Sequence, residues 1–248
     1  MLTALFTDIH GNREAFEACL AHASRFPIDR HVFLGDYVGY GADPGFIVDT
    51  VRDFVARGAI ALIGNHDSAA IGTPERMNDE ATLAIDWTRA QLTPRQIEFL
   101  KSRPFTAEQD GTLYVHASAA EPAHWDYIID TTAAARCFLA TEAERVFCGH
   151  THVPALFHRS ASGKLAGFEP AAGVATPLAL LAPRRWIAVI GSVGQPRDRN
   201  PAACYALYDD VARELTYQRL PYDIETAQRK IRDAGLPLFL SARLAWGR

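Results

Sequence analysis

Leu2-Thr3-Ala4-Leu5-Phe6-Thr7-Asp8-Ile9-His10-Gly11-Asn12 is the stretch from which the rest of the chain can be read. A short apolar run ended by a carboxylate, an imidazole and a glycine reads as a buried strand opening onto a site. In parallel α/β sheets ligands collect at the carboxyl ends of strands, where loops are free to carry chemistry. Asp8 and His10 are two apart, so in extended chain they point to the same side and can share a metal ion. The weight of that pair depends on whether later strands end in the same way.

They do. His31-Val32-Phe33-Leu34 stops at Gly35-Asp36, and Ala59-Ile60-Ala61-Leu62-Ile63 stops at Gly64-Asn65-His66-Asp67. Leu113-Tyr114-Val115 ends at His116, and Arg145-Val146-Phe147-Cys148 ends at Gly149-His150-Thr151-His152. Helices are predicted between the first strands, over Arg13 to Arg25 and about Phe46 to Ala56, from apolar residues at helical spacing. One such strand end is an ordinary turn or cap, because Asp, Asn and Gly are what turns use. Several in succession are better explained by a shared site.

The segment from Pro74 to Arg103 is predicted to be a helical insertion, with Pro94 starting its second helix. It either borders the cleft or covers the sheet. Beyond residue 152 the apolar runs Ala155 to His158, Leu178 to Leu181, Trp186 to Ile190, Tyr205 to Tyr208 and Leu215 to Arg219 are short and separated by turn residues. They predict a mostly antiparallel second sheet. Asp223 to Ala234 is predicted to close the chain as a helix ended by Gly235.

With 248 residues, 48% of them hydrophobic, the chain can bury a large core. It is read as a single domain over 1–248, because no repeat or linker interrupts it. A net charge of -4 argues against dedicated nucleic-acid binding. A phosphorylated substrate remains open, because a local metal charge can outweigh the overall balance. No signal peptide and no membrane span is expected. The four scattered cysteines, Cys19, Cys137, Cys148 and Cys204, fit reduced structural residues of a cytoplasmic protein.

Collected together, the strand ends supply Asp8, His10, Asp36, Asn65, His116, His150 and His152. This mixed oxygen and imidazole set suits manganese, iron or zinc better than calcium. It exceeds what one such ion takes, and a bridging carboxylate would let it hold two.

Asp8-x-His10, Gly35-Asp36, Gly64-Asn65-His66-Asp67, His116 and Gly149-His150-x-His152 resemble, in order, the five blocks of the calcineurin-like metallophosphoesterase superfamily. The resemblance implies an α/β fold, a two-sheet β-sandwich flanked by helices, with a dinuclear metal site at the strand C-terminal ends. It implies that Asp8, His10 and His152 bind one metal, that Asn65, His116 and His150 bind the other, and that Asp36 bridges both. It further implies that His66 protonates the leaving oxygen, with Asp67 a candidate to orient it. Two divalent ions, two carboxylates and a hydroxide sum to about one positive charge, and that hydroxide would attack phosphorus in line.

The departures narrow the branch. Protein phosphatases of the superfamily carry Gly-Asp-x-x-Asp-Arg-Gly, whose arginine grips the phosphate. Here Gly35-Asp36-Tyr37-Val38-Gly39-Tyr40-Gly41 puts a tyrosine in the arginine's place. Ile85-Asp86-Trp87-Thr88 and Gly191-Ser192-Val193-Gly194-Gln195-Pro196-Arg197 resemble bacterial phosphoesterases often called diadenosine-tetraphosphatase-like, among them broad-specificity phosphodiesterases. Arg197 is a candidate for the missing phosphate contact. Asn12 is another, with a helix cap as its competing role. The resulting expectation is hydrolysis of small phosphodiesters or phosphoanhydrides, nucleotide-like in kind. The alternatives are a phosphomonoesterase, including a protein phosphatase, and a metal-free scaffold of the same fold.

Overall fold

The structure, a computed structural model, describes residues 1–73, 77–178 and 184–248. It opens with β1 (Leu2–Phe6), α1 (Arg13–Ala23), β2 (Arg30–Phe33), α2 (Pro44–Ala56), β3 (Ile60–Ala61) and α3 (Asn65–Ala70). α4 (Asp79–Gln91) and α5 (Pro94–Lys101) follow, then β4 (Thr106–Gln109), β5 (Thr112–Val115), α6 (Thr131–Leu139) and β6 (Arg145–Cys148). β7 (Ala155–Ser160), β8 (Leu165–Phe168), β9 (Ala175–Pro177), β10 (Arg184–Val189), β11 (Ala203–Asp209) and β12 (Glu214–Leu220) lead to α7 (Ile224–Asp233) and α8 (Leu238–Trp246).

The strands form two six-stranded sheets, in the orders β3-β2-β1-β11-β12-β9 and β4-β5-β6-β10-β7-β8. β1, β2 and β3 run parallel, as do β5, β6 and β10. Side chains alternate faces along each strand, and that period of two builds the layers. Leu5, Val32, Leu34 and Leu62 meet Tyr114, Phe147, Trp186 and Ala188 between the sheets. Ala4, Phe6 and Phe33 point outward to Phe16 of α1 and to Ile47 and Val51 of α2. On the second sheet Val115, Val146 and Ile187 point outward to Ala134, Cys137 and Phe138 of α6. The two-sheet, helix-flanked architecture is the expected one.

Assignment of strands to sheets departs from the sequence reading. The later strands do not make a sheet of their own: β9, β11 and β12 complete the first sheet, and β7 and β10 join β5 and β6 in the second. Alternation marks which residues turn inward, but both sheets offer an inner face. Only the pairing of β1 with β11, Leu5 opposite Ala206, decides the matter. The expected strand over Leu178 to Leu181 lies, beyond Leu178, outside the described residues.

Helices depart too. α7 does not close the chain, because α8 follows it; α8 reads LFLSARLAW, so apolar that it shows no polar face. α6 is announced only by the cap Asp130, whose carboxylate accepts the Ala133 N–H at 2.8 Å. The start of the helical segment expected from Pro74 also lies outside the described residues. Its two helices are present, and α5 begins at Pro94 behind a capping box of Thr93 and Gln96. They cover the first sheet's helical layer, where Ile85, Leu92, Phe99 and Leu100 join the core around α1 and α2.

Candidate metal centre

The loops that leave β1, β2, β5, β6 and β10 are stitched together by backbone hydrogen bonds. The N–H of Asp8 donates to Gly35 O at 3.1 Å, that of His10 to Asp36 O at 2.9 Å, and that of Gly149 to His116 O at 2.8 Å. The N–H of Gly194, after β10, donates to Asp8 O at 2.9 Å. Two glycines permit this approach. A Cβ at Gly64 would strike the Asp36 carboxylate, and one at Gly149 would strike Thr7 and Asp8.

Five of the residues singled out by sequence hold a left-handed backbone: Asp8 (φ +52°), His10 (+50°), Asp36 (+56°), His150 (+67°) and His152 (+61°). Non-glycine residues seldom adopt it, and each instance costs on the order of 1–3 kcal/mol. The finding corrects the reason given for pairing Asp8 with His10. They do not share a side through extended-strand alternation; β1 ends at Phe6, and two left-handed turns swing both side chains inward.

Asp8, His10, Asp36 and His152 form one buried group whose ligand atoms lie within 4.8 Å of one another, and Asp36, His116 and His150 form a second. Asp36 belongs to both. Its Oδ2 lies 3.6 Å from His10 Nε2 and 3.4 Å from His116 Nε2. Asn65, the first residue of α3, places its Oδ1 3.2 Å from His116 Nε2.

These atoms fit metal ions on three counts. Asp8 Oδ1 and Asp36 Oδ2 are buried and make no hydrogen bond among the described residues. Their partner oxygens are fixed: Asp8 Oδ2 accepts the Thr7 hydroxyl at 2.7 Å and the His150 N–H at 2.9 Å, and Asp36 Oδ1 accepts the His66 N–H at 2.8 Å. Three histidines donate Nδ1–H to carbonyls, His10 to Val38 at 3.0 Å, His116 to Leu34 at 2.8 Å and His152 to Gln195 at 2.7 Å. That fixes the tautomer and turns each Nε2 lone pair inward. His10 Nε2 and His152 Nε2 then face each other at 3.1 Å, lone pair to lone pair, a contact that a cation between them relieves.

The protonation preferences differ from one histidine to another. Burial holds His10 well below its usual range and takes His150 down to about 3, so both are neutral bases. Burial also works on His116, but the Asp36 and Asp8 carboxylates overcome it and raise the imidazole to about 9. Burial disfavours the Asp36 carboxylate too, yet the surrounding imidazoles bring it well below the ordinary carboxylate range.

Comparison with known proteins matches residues 1–211 to the calcineurin-like phosphoesterase superfamily domain. The chain belongs to the calcineurin-like phosphoesterase superfamily. It is 31% identical to an uncharacterized protein of Methanocaldococcus jannaschii, over 100% of this chain and 98% of that one. The crystal structure of a metallophosphoesterase from Sphaerobacter thermophilus is 36% identical, covers 100% of both chains and superposes with a TM-score of 0.87. A hypothetical protein from Pyrococcus horikoshii shares the fold at 18% identity and a TM-score of 0.78, covering 100% of this chain and 98% of that one. Proteins of this superfamily bind two metals, so this member is a metal-binding phosphate-ester hydrolase.

In this calcineurin-like phosphoesterase two of the candidate side chains are engaged by the backbone. Asn12 has no side-chain group to spare for phosphate. Its Oδ1 caps α1 by accepting the Ala15 N–H at 3.1 Å, and its Nδ2 donates to Gly194 O at 2.8 Å and Tyr222 Oη at 3.3 Å. Asp67 does not orient the His66 ring. Its two oxygens accept backbone N–H groups of Asp36 (2.8 Å), Tyr37 (2.9 Å), Val38 (3.2 Å) and Gly64 (3.0 Å). It is a clamp on the loop that carries Asp36.

His66 is buried, its Nδ1 without a partner among the described residues, its ring 4.4 Å from that of Tyr40 and 4.8 Å from that of His10. Burial takes it down to about 4, against the pull of Asp36. Arg197 stands beside the first group, its backbone N–H on His152 O at 3.2 Å and its guanidinium on Gln195 Oε1 at 3.0 Å. Tyr127 was not found by sequence reasoning. It stacks on His150 at 4.2 Å, while Trp125 lies edge-on to His116 at 5.8 Å and tilted against Phe105 at 5.6 Å. No local motif marks these aromatics; the Glu121 and Trp125 left-handed turns bring them to the rim.

Proposed function

We propose that this chain is a dinuclear-metal phosphoesterase that hydrolyses small phosphodiesters or phosphoanhydrides carrying an aromatic substituent, as nucleotide derivatives do. The observation that carries the reading is the Asp36 carboxylate shared by two buried ligand groups. Asp8, His10 and His152 would hold one ion, Asn65, His116 and His150 the other, and Asp36 both; the donor set suits manganese, iron or zinc. Two bound ions would supply neutralisation of the phosphate charge and an acidified water.

The remaining work falls to side chains. His66, next to the shared carboxylate, would deliver a proton to the leaving oxygen, its depressed basicity raised again by the charge of a bound phosphate. Arg197 would contact the substrate's phosphate oxygens from the side of His152. Tyr127, half exposed against His150, offers a stacking face to a base or another flat group. The reading includes a cytoplasmic setting, supported by four free and buried cysteines, and one domain over 1–248. Among the described residues no helix is long and apolar enough to cross a membrane.

Metal analysis of the purified protein, with turnover of bis-p-nitrophenyl phosphate set against p-nitrophenyl phosphate, tests the proposal. Bound metal with diester turnover supports it. Turnover of the monoester alone replaces it with a phosphomonoesterase, and absence of both metal and turnover with a scaffold.

A further inference from the structure

Tyr40 stands where a superfamily protein phosphatase carries an arginine, and the structure shows what surrounds it. Its backbone is left-handed (φ +63°), and its ring packs 4.7 Å from that of His10 and 4.4 Å from that of His66. Two guanidinium groups lie against the same ring, Arg197 at 5.8 Å and Arg243 at 5.9 Å from its centre. Arg243 comes from α8, which the rest of the site does not use. Leu240 and Leu244 fix that helix in a cluster with Tyr40, with Ala81 and Ala84 of α4, and with Ala227 and Ile231 of α7.

Two other cations near the core have carboxylate partners: Arg219 has Asp198, and Lys230 has Glu14 and Asp43. Among the described residues Arg197 and Arg243 form no side-chain salt bridge. Arg197 bonds Gln195 Oε1 and, at 3.5 Å, Tyr40 Oη, and its Nε is buried with no partner among the described residues. Arg243 bonds the backbone oxygen of Arg248. Burial, and then the charge of Arg197, lowers Arg243 to about 10, so it stays a cation at neutral pH. Two half-buried cations against one ring, with N–H donors to spare beyond the Arg248 oxygen and with Glu80 acting on Arg243, still favour an anion placed between them.

Resting on the phosphoesterase reading above, we infer that Arg197 and Arg243, astride Tyr40, form a subsite for a second phosphate group next to the one being cleaved. The Tyr40 ring packs on His10 and His66, and both guanidiniums lie within 5.9 Å of its centre. They are placed for the neighbouring phosphate of an anhydride. Substrates with two or more linked phosphates are therefore preferred over those with one.

The test is competition by ADP and by AMP against bis-p-nitrophenyl phosphate turnover, with both affinities also measured calorimetrically on metal-loaded protein in excess metal. ADP is expected to bind at least about tenfold more tightly than AMP. In Arg243→Gln and in Arg197→Gln that ratio falls toward one, and Arg243→Lys recovers part of it. An ADP/AMP ratio near one in the wild type, or the same ratio in both glutamine variants as in the wild type, overturns the subsite. Arg243→Gln and Arg243→Lys are compared only after their thermal melts match the wild type; if Arg243→Gln melts early, Arg197→Gln and Arg243→Lys decide. The calorimetric ratio needs no turnover. A protein that hydrolyses nothing yet still discriminates ADP from AMP sinks the phosphoesterase reading and keeps the subsite.

Discussion

The two halves of the centre are built to different tolerances. In the first, His10 and His152 are each pinned through Nδ1 to a carbonyl, and all four donors are buried. In the second only His116 is pinned. Asn65 is half-buried, and His150 rests on the half-exposed ring of Tyr127 with no hydrogen bond to its imidazole among the described residues. A ligand whose orientation is fixed beforehand loses less freedom on binding an ion. The first half should therefore be the tight site, and the second the one that adjusts as substrate arrives.

The severest way to break that comparison is to remove what the halves share. Asp36→Asn should abolish binding of the metal pair and lower turnover by roughly 10⁴-fold or more, read by metal content and diester hydrolysis. A variant that keeps two ions and its activity would show that Asp36 joins nothing. His66→Ala separates chemistry from coordination. It should retain both metals while turnover drops about 10²–10⁴-fold, and full activity would remove His66 from proton transfer.

A calorimetric titration of stripped protein with Mn²⁺ sharpens the contrast directly. Two affinities about 10- to 100-fold apart are expected, and His150→Ala should lose the weaker one while the tighter survives. Two equal affinities would mean that the pinning of His10 and His152 has no consequence.

The smallest effect is on the stability of the stripped protein with pH. Folding holds His66 at about 4 and His150 at about 3, both below the ordinary 6.5. Between pH 6.5 and 4 the unfolded chain therefore takes up protons that the folded chain refuses, and stability falls as pH falls. His116, raised to about 9, acts with the opposite sign. Its contribution is complete below pH 6.5 and fades as pH rises through 9. Thermal melts in chelator should show acid loss over the first window, and metal should deepen it, because ions and protons compete for the same nitrogens.

Much of the centre was legible because a strand that ends in a carboxylate or imidazole announces itself locally. Asp8, Asp36, His116 and His150 each follow a short apolar run, and the structure brings them together. Asn12 and Asp67 were read less well for a shared reason. Both are polar, adjacent to ligands, and equally suited to chemistry or to backbone bonding. Which they do depends on the N–H groups of Ala15, Tyr37 and Gly64 that the fold puts in front of them. α8 was missed because apolar residues all round a short helix carry no period, and with it went Arg243.

By itself the sequence determined the alternating strands and helices, the donor atoms, and their order along the chain. These follow from side-chain chemistry and from periodicities that a few neighbouring residues express. Only the tertiary structure decided which sheet each late strand joined, which polar side chains were spent on backbone amides, and that two arginines from distant segments share one tyrosine ring. Those outcomes turn on contacts across tens to hundreds of residues, where pairing geometry and burial choose among partners that local pattern leaves equivalent.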